Sequence, residues 1–590
     1  MAVCDPHSYT DISQCRTTAV DLKLLVDFAA RKLKGSVKLT FVEPVRGPVD
    51  LDTRALTIGA VTDARDVAVP FSLGKSDPIL GAKLRVDVKE PTASLTIRYE
   101  TSPDASALQW LEPQHTAGGK HPYLFSQCQP HHARSLVPLQ DSAVVRFKYR
   151  AEITVPKPLV AVMSAAPGEK QAGPDAKSST YTFEMPQPIP SYLLALAVGN
   201  IAAQDLGPRS RVYTEPEMLK AAAWEFAGVN DMLLAAEKLF GPYRWDRYDF
   251  LVMPPAFPYG GMENPRLTFL TPTLVAGDRS LVNVLAHELA HSWTGNLVTN
   301  ATMNDFWLNE GFTVWAERRI HEALSGKEAL SLAAAIGRES LETDLQRFGL
   351  TSPYTRLKTD LAGVDPGDVY SQVPYEKGFL LVALLEKPVG RKKFDKFVRD
   401  YADHFAFTSI TTEDFVEFLD AKLPGIGDKV GAKTWILEAG VPDNAPVFKS
   451  TRLKELQQLA RGFSDGVRPD PKLAKKWSVD EWLVYLGGLP KKLPQDQLAW
   501  LDAKFHFNDS GNAEILCKWL VMAAASNYEP AFPKLKAFLG RVGRMKYLKP
   551  LYKALADSPE TRPLALEVFA EHGARYHPIA RGGLEKLLKG

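Results

Sequence analysis

Four residues carry the chemistry most plainly: His287, Glu288 and His291 in the string HELAH, and Glu310, separated from it by eighteen residues, in WLNEGF. On a helix, residues four apart share a face, so both imidazoles can aim at one point with Glu288 beside them. Two histidines and a distant glutamate make a ligand set for zinc, and three protein ligands leave a fourth tetrahedral position for water. That is a catalytic arrangement rather than a structural one. One zinc ion held by His287, His291 and Glu310 lowers the pKa of water and polarises a carbonyl oxygen. Glu288, not needed for coordination, is then placed to act as general base and to return a proton to a leaving amine. Hydrolysis of an amide is the reaction this implies.

The elements around these residues must hold them in register. A helix is expected from Asp278 or Ser280 to Gly295, and a second one from Phe306 to His321 carries Glu310. Glu317, further along the second helix, either supports a ligand histidine or is an exposed helix carboxylate. Upstream, T-E-P-E at Thr214 reads as a capping box opening a helix that runs to about Phe240. Before residue 200 the pattern is different. Val37, Leu39 and Phe41, then Leu95, Ile97 and Tyr99, alternate with polar residues as half-buried strands do. Downstream, Lys377 to Glu386 and Lys393 to His404 are amphipathic. The Gly-, Pro- and Asp-rich stretch from Leu423 to Pro446 breaks any helix. Beyond it nearly every segment has helical spacing, as at Trp482, Tyr485 and Leu486, without a fixed repeat.

The expected architecture is multidomain α+β. A β-rich domain spans 1–202, a mixed catalytic domain 203–440, a linker 441–452 and a domain of stacked helices 453–590. At 590 residues the chain exceeds what one hydrophobic core serves. A formal charge of +2 gives no field for gripping nucleic acid or acidic lipid. The four cysteines are far apart with no CxxC pair, and no long uncharged apolar run is present. The chain is therefore expected to be cytoplasmic and monomeric, with no nucleic acid or membrane partner.

Other stretches are ambiguous alone. Tyr370 and Tyr375, in YSQVPYEKG, can face a cleft or simply pack. PYGGMEN is either a tight turn or an edge where backbone approaches a ligand, with Glu263 able to meet an amine. Arg544 and Lys546, in GRMKY, have the composition of solvated surface cations.

Together GGMEN, HELAHSW, WLNEG and YSQVPYEKG resemble the zinc aminopeptidases of the gluzincin clan, and within them the leukotriene A4 hydrolase subgroup. PYLFSQCQ, TGNLVTN, FHFN, NAEI and GRMKY extend the likeness along the whole chain. The resemblance implies a saddle-like β domain, a thermolysin-like catalytic domain and an α-helical C-terminal domain around one cleft. It implies that Gln129 and Glu263 hold a substrate's α-amino group, that Gly260, Gly261 and Met262 align its backbone, and that Tyr375 donates to the oxyanion. Arg544 and Lys546 would bind a short peptide's C-terminal carboxylate, favouring di- and tripeptides.

One departure stands out. Epoxide-opening relatives resemble D-P-D-x-x-Y, whereas this chain has D-P-G-D-V-Y, with Gly367 in place of the second aspartate and Asp368 one residue later. Tyr370 is retained. Peptide hydrolysis is the leading expectation, hydrolysis of a lipid epoxide such as leukotriene A4 the alternative, and an inactive scaffold the third. The complete ligand set weighs against the scaffold.

Overall fold

The computed structural model describes residues 4–281 and 283–589. The N-terminal part is built on an eight-stranded sheet. Its strands run Ala166–Ala172, Ser178–Pro190, Arg146–Pro156, Thr17–Asp27, Lys32–Thr53, Ala82–Glu100 and Thr57–Asp63, with Phe71–Leu73 pairing the Ala82–Glu100 strand. All neighbours are antiparallel except Thr17–Asp27 and Arg146–Pro156. Period-two burial is plain in Thr17–Asp27, where Val20, Leu22, Leu24 and Val26 face the core. A four-stranded sheet that includes Tyr123–Ser126 and Leu196–Gly199 carries the chain towards the catalytic part.

There a five-stranded sheet takes the order Ala202–Gly207, Ser210–Thr214, Phe250–Val252, Thr268–Leu270 and Gly261–Met262. The last strand is an edge. Its backbone pairs with Thr268–Leu270 on one side only, leaving the other side for a further strand. The two ligand-bearing helices are Asn283–Ala290 and Trp307–Ser325. Helices from Thr451–Arg461 to Pro578–Lys589 form the C-terminal part around a core of their own, centred on Tyr485, Trp519 and Leu548. The N-terminal and catalytic parts instead share one continuous core. No helix among the described residues is long and apolar enough to cross a membrane.

Three local expectations are corrected. The segment after Thr214 is two helices, Pro216–Glu225 and Val229–Phe240, and Thr214 makes no capping box. Its hydroxyl donates to the Val252 carbonyl, and the Glu215 carboxylate accepts from the Ala117 amide at 2.8 Å instead. The HELAH helix begins at Asn283 rather than near Ser280, because the Glu225 carboxylate accepts from Gly277 and Arg279 amides and holds that stretch as a loop. It ends at Ala290, and the chain passes through turns before Gly295. The glycine-rich stretch after Leu423 nevertheless holds two short helices, Ile426–Val430 and Ala432–Leu437. Trp435 explains their persistence: it is fully buried, with its indole N–H donating to Asn444 at 2.9 Å.

A close helix crossing positions the site. A Cβ added at Gly311, on the Glu310 helix, would lie 2.7 Å from the Gly378 backbone, and one at Gly378 would lie 2.7 Å from Gly311. Gly378 opens the helix that follows YSQVPYEK, so this contact brings Tyr375 to Glu310. Gly311→Ala gains up to about 1 kcal/mol of helix propensity but forces two backbones apart, at about 1–3 kcal/mol. The clash wins. A lower thermal unfolding midpoint and reduced turnover are expected together, and an unchanged midpoint would show that the crossing yields.

Candidate active site

His287 and His291 point their Nε2 atoms at Glu310, whose Oε2 lies 3.5 Å from each. Their rings are nearly perpendicular, with centroids 4.8 Å apart. Each Nδ1 is engaged on the outer side. That of His287 donates to the Glu317 carboxylate at 2.9 Å, and that of His291 to the Thr294 carbonyl at 3.0 Å, with the Thr313 hydroxyl 3.1 Å away. An outward N–H fixes the tautomer, so each Nε2 keeps its lone pair for the shared point. Glu310 Oε2, buried there, has no hydrogen-bond partner. Two inward lone pairs and an unpartnered carboxylate oxygen converging at about 3.5 Å are what a tetrahedral metal with ligands near 2.0–2.2 Å requires. The residues fit zinc.

Glu288 is buried beside this set, and burial pushes its carboxyl up to about 7. A carboxyl near neutrality can both take and return a proton at physiological pH. The edge strand makes room for it. A Cβ at Gly261 would sit 2.2 Å from Glu288 Oε1, and one at Gly260 would sit 2.6 Å from Arg544 Nη2. Consecutive glycines thus let the Glu288 carboxylate and the Arg544 guanidinium close in on one stretch of backbone. The Met262 sulfur receives Gln127 Nε2 at 3.0 Å.

Glu263 is buried too, and burial raises its pKa. Gln129 Nε2 donates to its Oε1 at 3.4 Å, while its backbone carbonyl accepts from Asn296 at 2.7 Å. Glu263, Glu288 and His291 form a tight group of their own, with their nearest oxygen and nitrogen atoms all within 4.8 Å. On the opposite wall, Tyr375 lies on a single π turn, Val373–Lys377. Its ring stacks at 6.2 Å on His287 and meets Phe306 edge-on at 6.0 Å. Burial, with the Glu310 charge adding to it, raises the Tyr375 hydroxyl well above the ordinary tyrosine value, so it remains a proton donor. Tyr370 is 53% exposed and donates its hydroxyl to Tyr375 at 3.0 Å. Gly367 sits in a turn where its amide donates to Asp365 at 2.9 Å.

Arg544 and Lys546 come to the cleft from the C-terminal helical part. The Met545 amide between them donates to the Pro258 carbonyl at 2.9 Å, which locks this turn to the loop before Gly260. Glu514, which the sequence did not single out by itself, accepts from Lys546 at 2.7 Å, Tyr547 at 2.9 Å and Arg544 at 3.4 Å. Arg544 is buried and Lys546 is exposed. The structure therefore brings His287, Glu288, His291, Glu310 and Glu263 together, with Gln129 against Glu263 and Arg544 against Gly260. Lys546 is turned furthest towards solvent. Thr294 and Asn296, within TGNLVTN, and Thr313 brace His291 and Glu263, contacts that exist only once the two helices are packed.

Family comparisons match each of the three parts of the chain. Residues 6–193 match the Peptidase M1 N-terminal domain, 224–434 the Peptidase family M1 domain, and 477–588 the Leukotriene A4 hydrolase, C-terminal domain. Leukotriene A-4 hydrolase of Xenopus laevis is 39% identical, with 98% of each chain covered. Leucine aminopeptidase 2 of Yarrowia lipolytica is 38% identical over 99% of this chain and 93% of its own length. The structure of yeast LTA4 hydrolase in complex with bestatin superposes with a TM-score of 0.92 at 34% identity, covering 100% of this chain and 98% of that one. The chain belongs to the M1 peptidase family of zinc aminopeptidases, in the branch that carries the leukotriene A4 hydrolase C-terminal domain.

Proposed function

We propose that this protein removes the N-terminal residue from short peptides, with di- and tripeptides favoured. One observation supports the reading: the Glu288 carboxylate and the Arg544 guanidinium close on consecutive residues, Gly261 and Gly260, of one backbone stretch. The contacts of Gly261 with Glu288 and Gly260 with Arg544 bound the separation of Glu288 Oε1 and Arg544 Nη2 at about 12 Å. Two extended residues span about 7 Å. A hydrogen bond of about 3 Å at each end brings this to about 13 Å, already at the bound, so a longer peptide does not fit between the two groups.

In this reading His287, His291 and Glu310 hold zinc, which when bound supplies a Lewis acid for water and for the scissile carbonyl. Glu288 takes the proton of the attacking water and passes it to the departing amine nitrogen. The Tyr375 hydroxyl donates to the oxygen that gains charge as the carbonyl becomes tetrahedral. Glu263, assisted by Gln129, pairs with the substrate's ammonium, which fixes the cut one residue from the N-terminus. Gly260, Gly261 and Met262 offer the free strand edge to the peptide backbone, and Arg544 and Lys546 receive its terminal carboxylate. A monomer meets all of these demands.

Turnover of a tripeptide panel with free and acetylated N-termini tests the assignment. Acetylation removes the cation that Glu263 pairs with and should lower kcat/KM by about two to three orders of magnitude. Chelation should abolish turnover, and stoichiometric zinc should restore it. Comparable rates on acetylated peptides would remove the anchor role. Hydrolysis of a lipid epoxide remains the second reading, supported by the likeness to leukotriene A-4 hydrolase and by the Tyr370–Tyr375 contact. Gly367 in place of the aspartate tells against it.

A further inference from the structure

We infer that Asp5, His7 and His131 form a second, non-catalytic binding site for a divalent first-row metal ion of the zinc class. These residues are all more than nine-tenths buried, and their candidate ligand atoms lie within 4.8 Å of one another. The His7 ring carries the argument. Its Nε2 lies 2.9 Å from the Val364 carbonyl, an acceptor only, so Nε2 bears the hydrogen and Nδ1 of the neutral ring keeps its lone pair. That Nδ1 has no hydrogen-bond partner, yet it lies 3.8 Å from Asp5 Oδ1. The distance is too long for a hydrogen bond, and a buried lone pair facing a carboxylate is repulsive unless a cation lies between them. His287 and His291 show the same pattern of an outer N–H donated to an oxygen and an inner lone pair.

Charge points the same way. Asp5, Asp52 and Asp141 are buried together, and Arg134 is the fully buried cation among them, 2.9 Å from Asp141 and 4.0 Å from Asp52. Arg54, half-buried nearby and donating to the Ile79 carbonyl, adds a second cation, which still leaves three carboxylates to two guanidinium groups. Asp5 has its Oδ2 held by Ser142 at 2.6 Å and its Oδ1 by the His7 amide at 2.9 Å, which orients the carboxylate towards the imidazole. The His131 ring stacks on His7 at 4.7 Å. Asp5 and His131 also line a small cavity shared with Gln129, Tyr192 and Asn300, which offers space for a water as fourth ligand. Tetrahedral ligand atoms lie about 3.4 Å apart, so a shift of about an ångström closes the set around a zinc-sized ion. Two imidazoles and one carboxylate select such an ion over calcium or magnesium. Bound there, it ties the N-terminal segment to the Gln129–Arg134 loop and, through His7, to Val364.

The test is metal content of the full-length protein after zinc loading and gel filtration. Two zinc ions per chain are expected for the parent protein. Glu310→Ala, aimed at the catalytic set, and His131→Leu, aimed at the second, should each retain one. In the Glu310→Ala background, cobalt should give the visible absorption of a four-coordinate nitrogen and oxygen site, and adding His131→Leu should erase it. Asp5→Asn provides a second variant should His131→Leu fail to fold. One zinc per chain in the parent protein would overturn the site. Two zinc ions retained in both His131→Leu and Asp5→Asn would overturn it as well.

Discussion

Glu288→Gln is expected to retain zinc and lose turnover by about three orders of magnitude, within the range general-base removal produces. Glu288 stands outside the His287, His291 and Glu310 set, so the metal donors are unchanged. The amide is isosteric with the carboxylate and fits the same space against Gly261. It cannot take a proton. Stability should not suffer: burial already pushes the Glu288 carboxyl up to about 7, so a neutral amide replaces a group whose ionised form is costly there. The expected result is thus an equal or higher unfolding midpoint, a full zinc content and a collapsed kcat, measured on one preparation. That combination separates chemistry from structure. A variant turning over at the parent rate would take Glu288 out of the mechanism, whereas one that lost zinc would make it a ligand or a support for one.

The contrast between what was legible in the sequence and what was not follows from the range of the interactions. HELAH and Glu310 were readable because helical spacing alone puts His287 and His291 on one face, and because zinc chemistry limits what can complete the set. Alternation gave the strands of the N-terminal sheet for the same local reason. Thr214 misled because a capping signature is only a local preference. In the folded chain its hydroxyl and the Glu215 carboxylate are both taken by distant backbone groups, Val252 and Ala117. Glu225 overrode the start of the HELAH helix in the same manner, from more than fifty residues away. Gly311 and Gly378 carry no periodic signal, since a close crossing is a property of two helices and not of either one. Glu514 is the clearest case. Its role as counter-ion to Arg544 and Lys546 and acceptor for the Tyr547 hydroxyl exists only after two helical segments pack, although NAEI was among the stretches that resemble the family.

Glu514 also sharpens the second large prediction, Arg544→Ala. The Arg544 guanidinium is buried, with one nitrogen against Gly260 and another shared between Tyr547 and Glu514. Removing it takes away the cation nearest the strand edge and leaves the Glu514 carboxylate with Lys546 and Tyr547 for partners. Truncating one side of a buried charge pair costs about 2–5 kcal/mol, which is about thirty- to several-thousand-fold in kcat/KM for a tripeptide with a free carboxylate. An amidated tripeptide has no charge to lose and should fall by less than about tenfold. Lys546→Ala makes the natural control. Its ammonium is exposed, and an exposed ion pair contributes about 0–1 kcal/mol, so its effect on the free tripeptide should stay within about fivefold. Loss of equal size on free and amidated peptides would mean that Arg544 holds the docking of the helical part against Pro258 and Gly260 rather than the substrate.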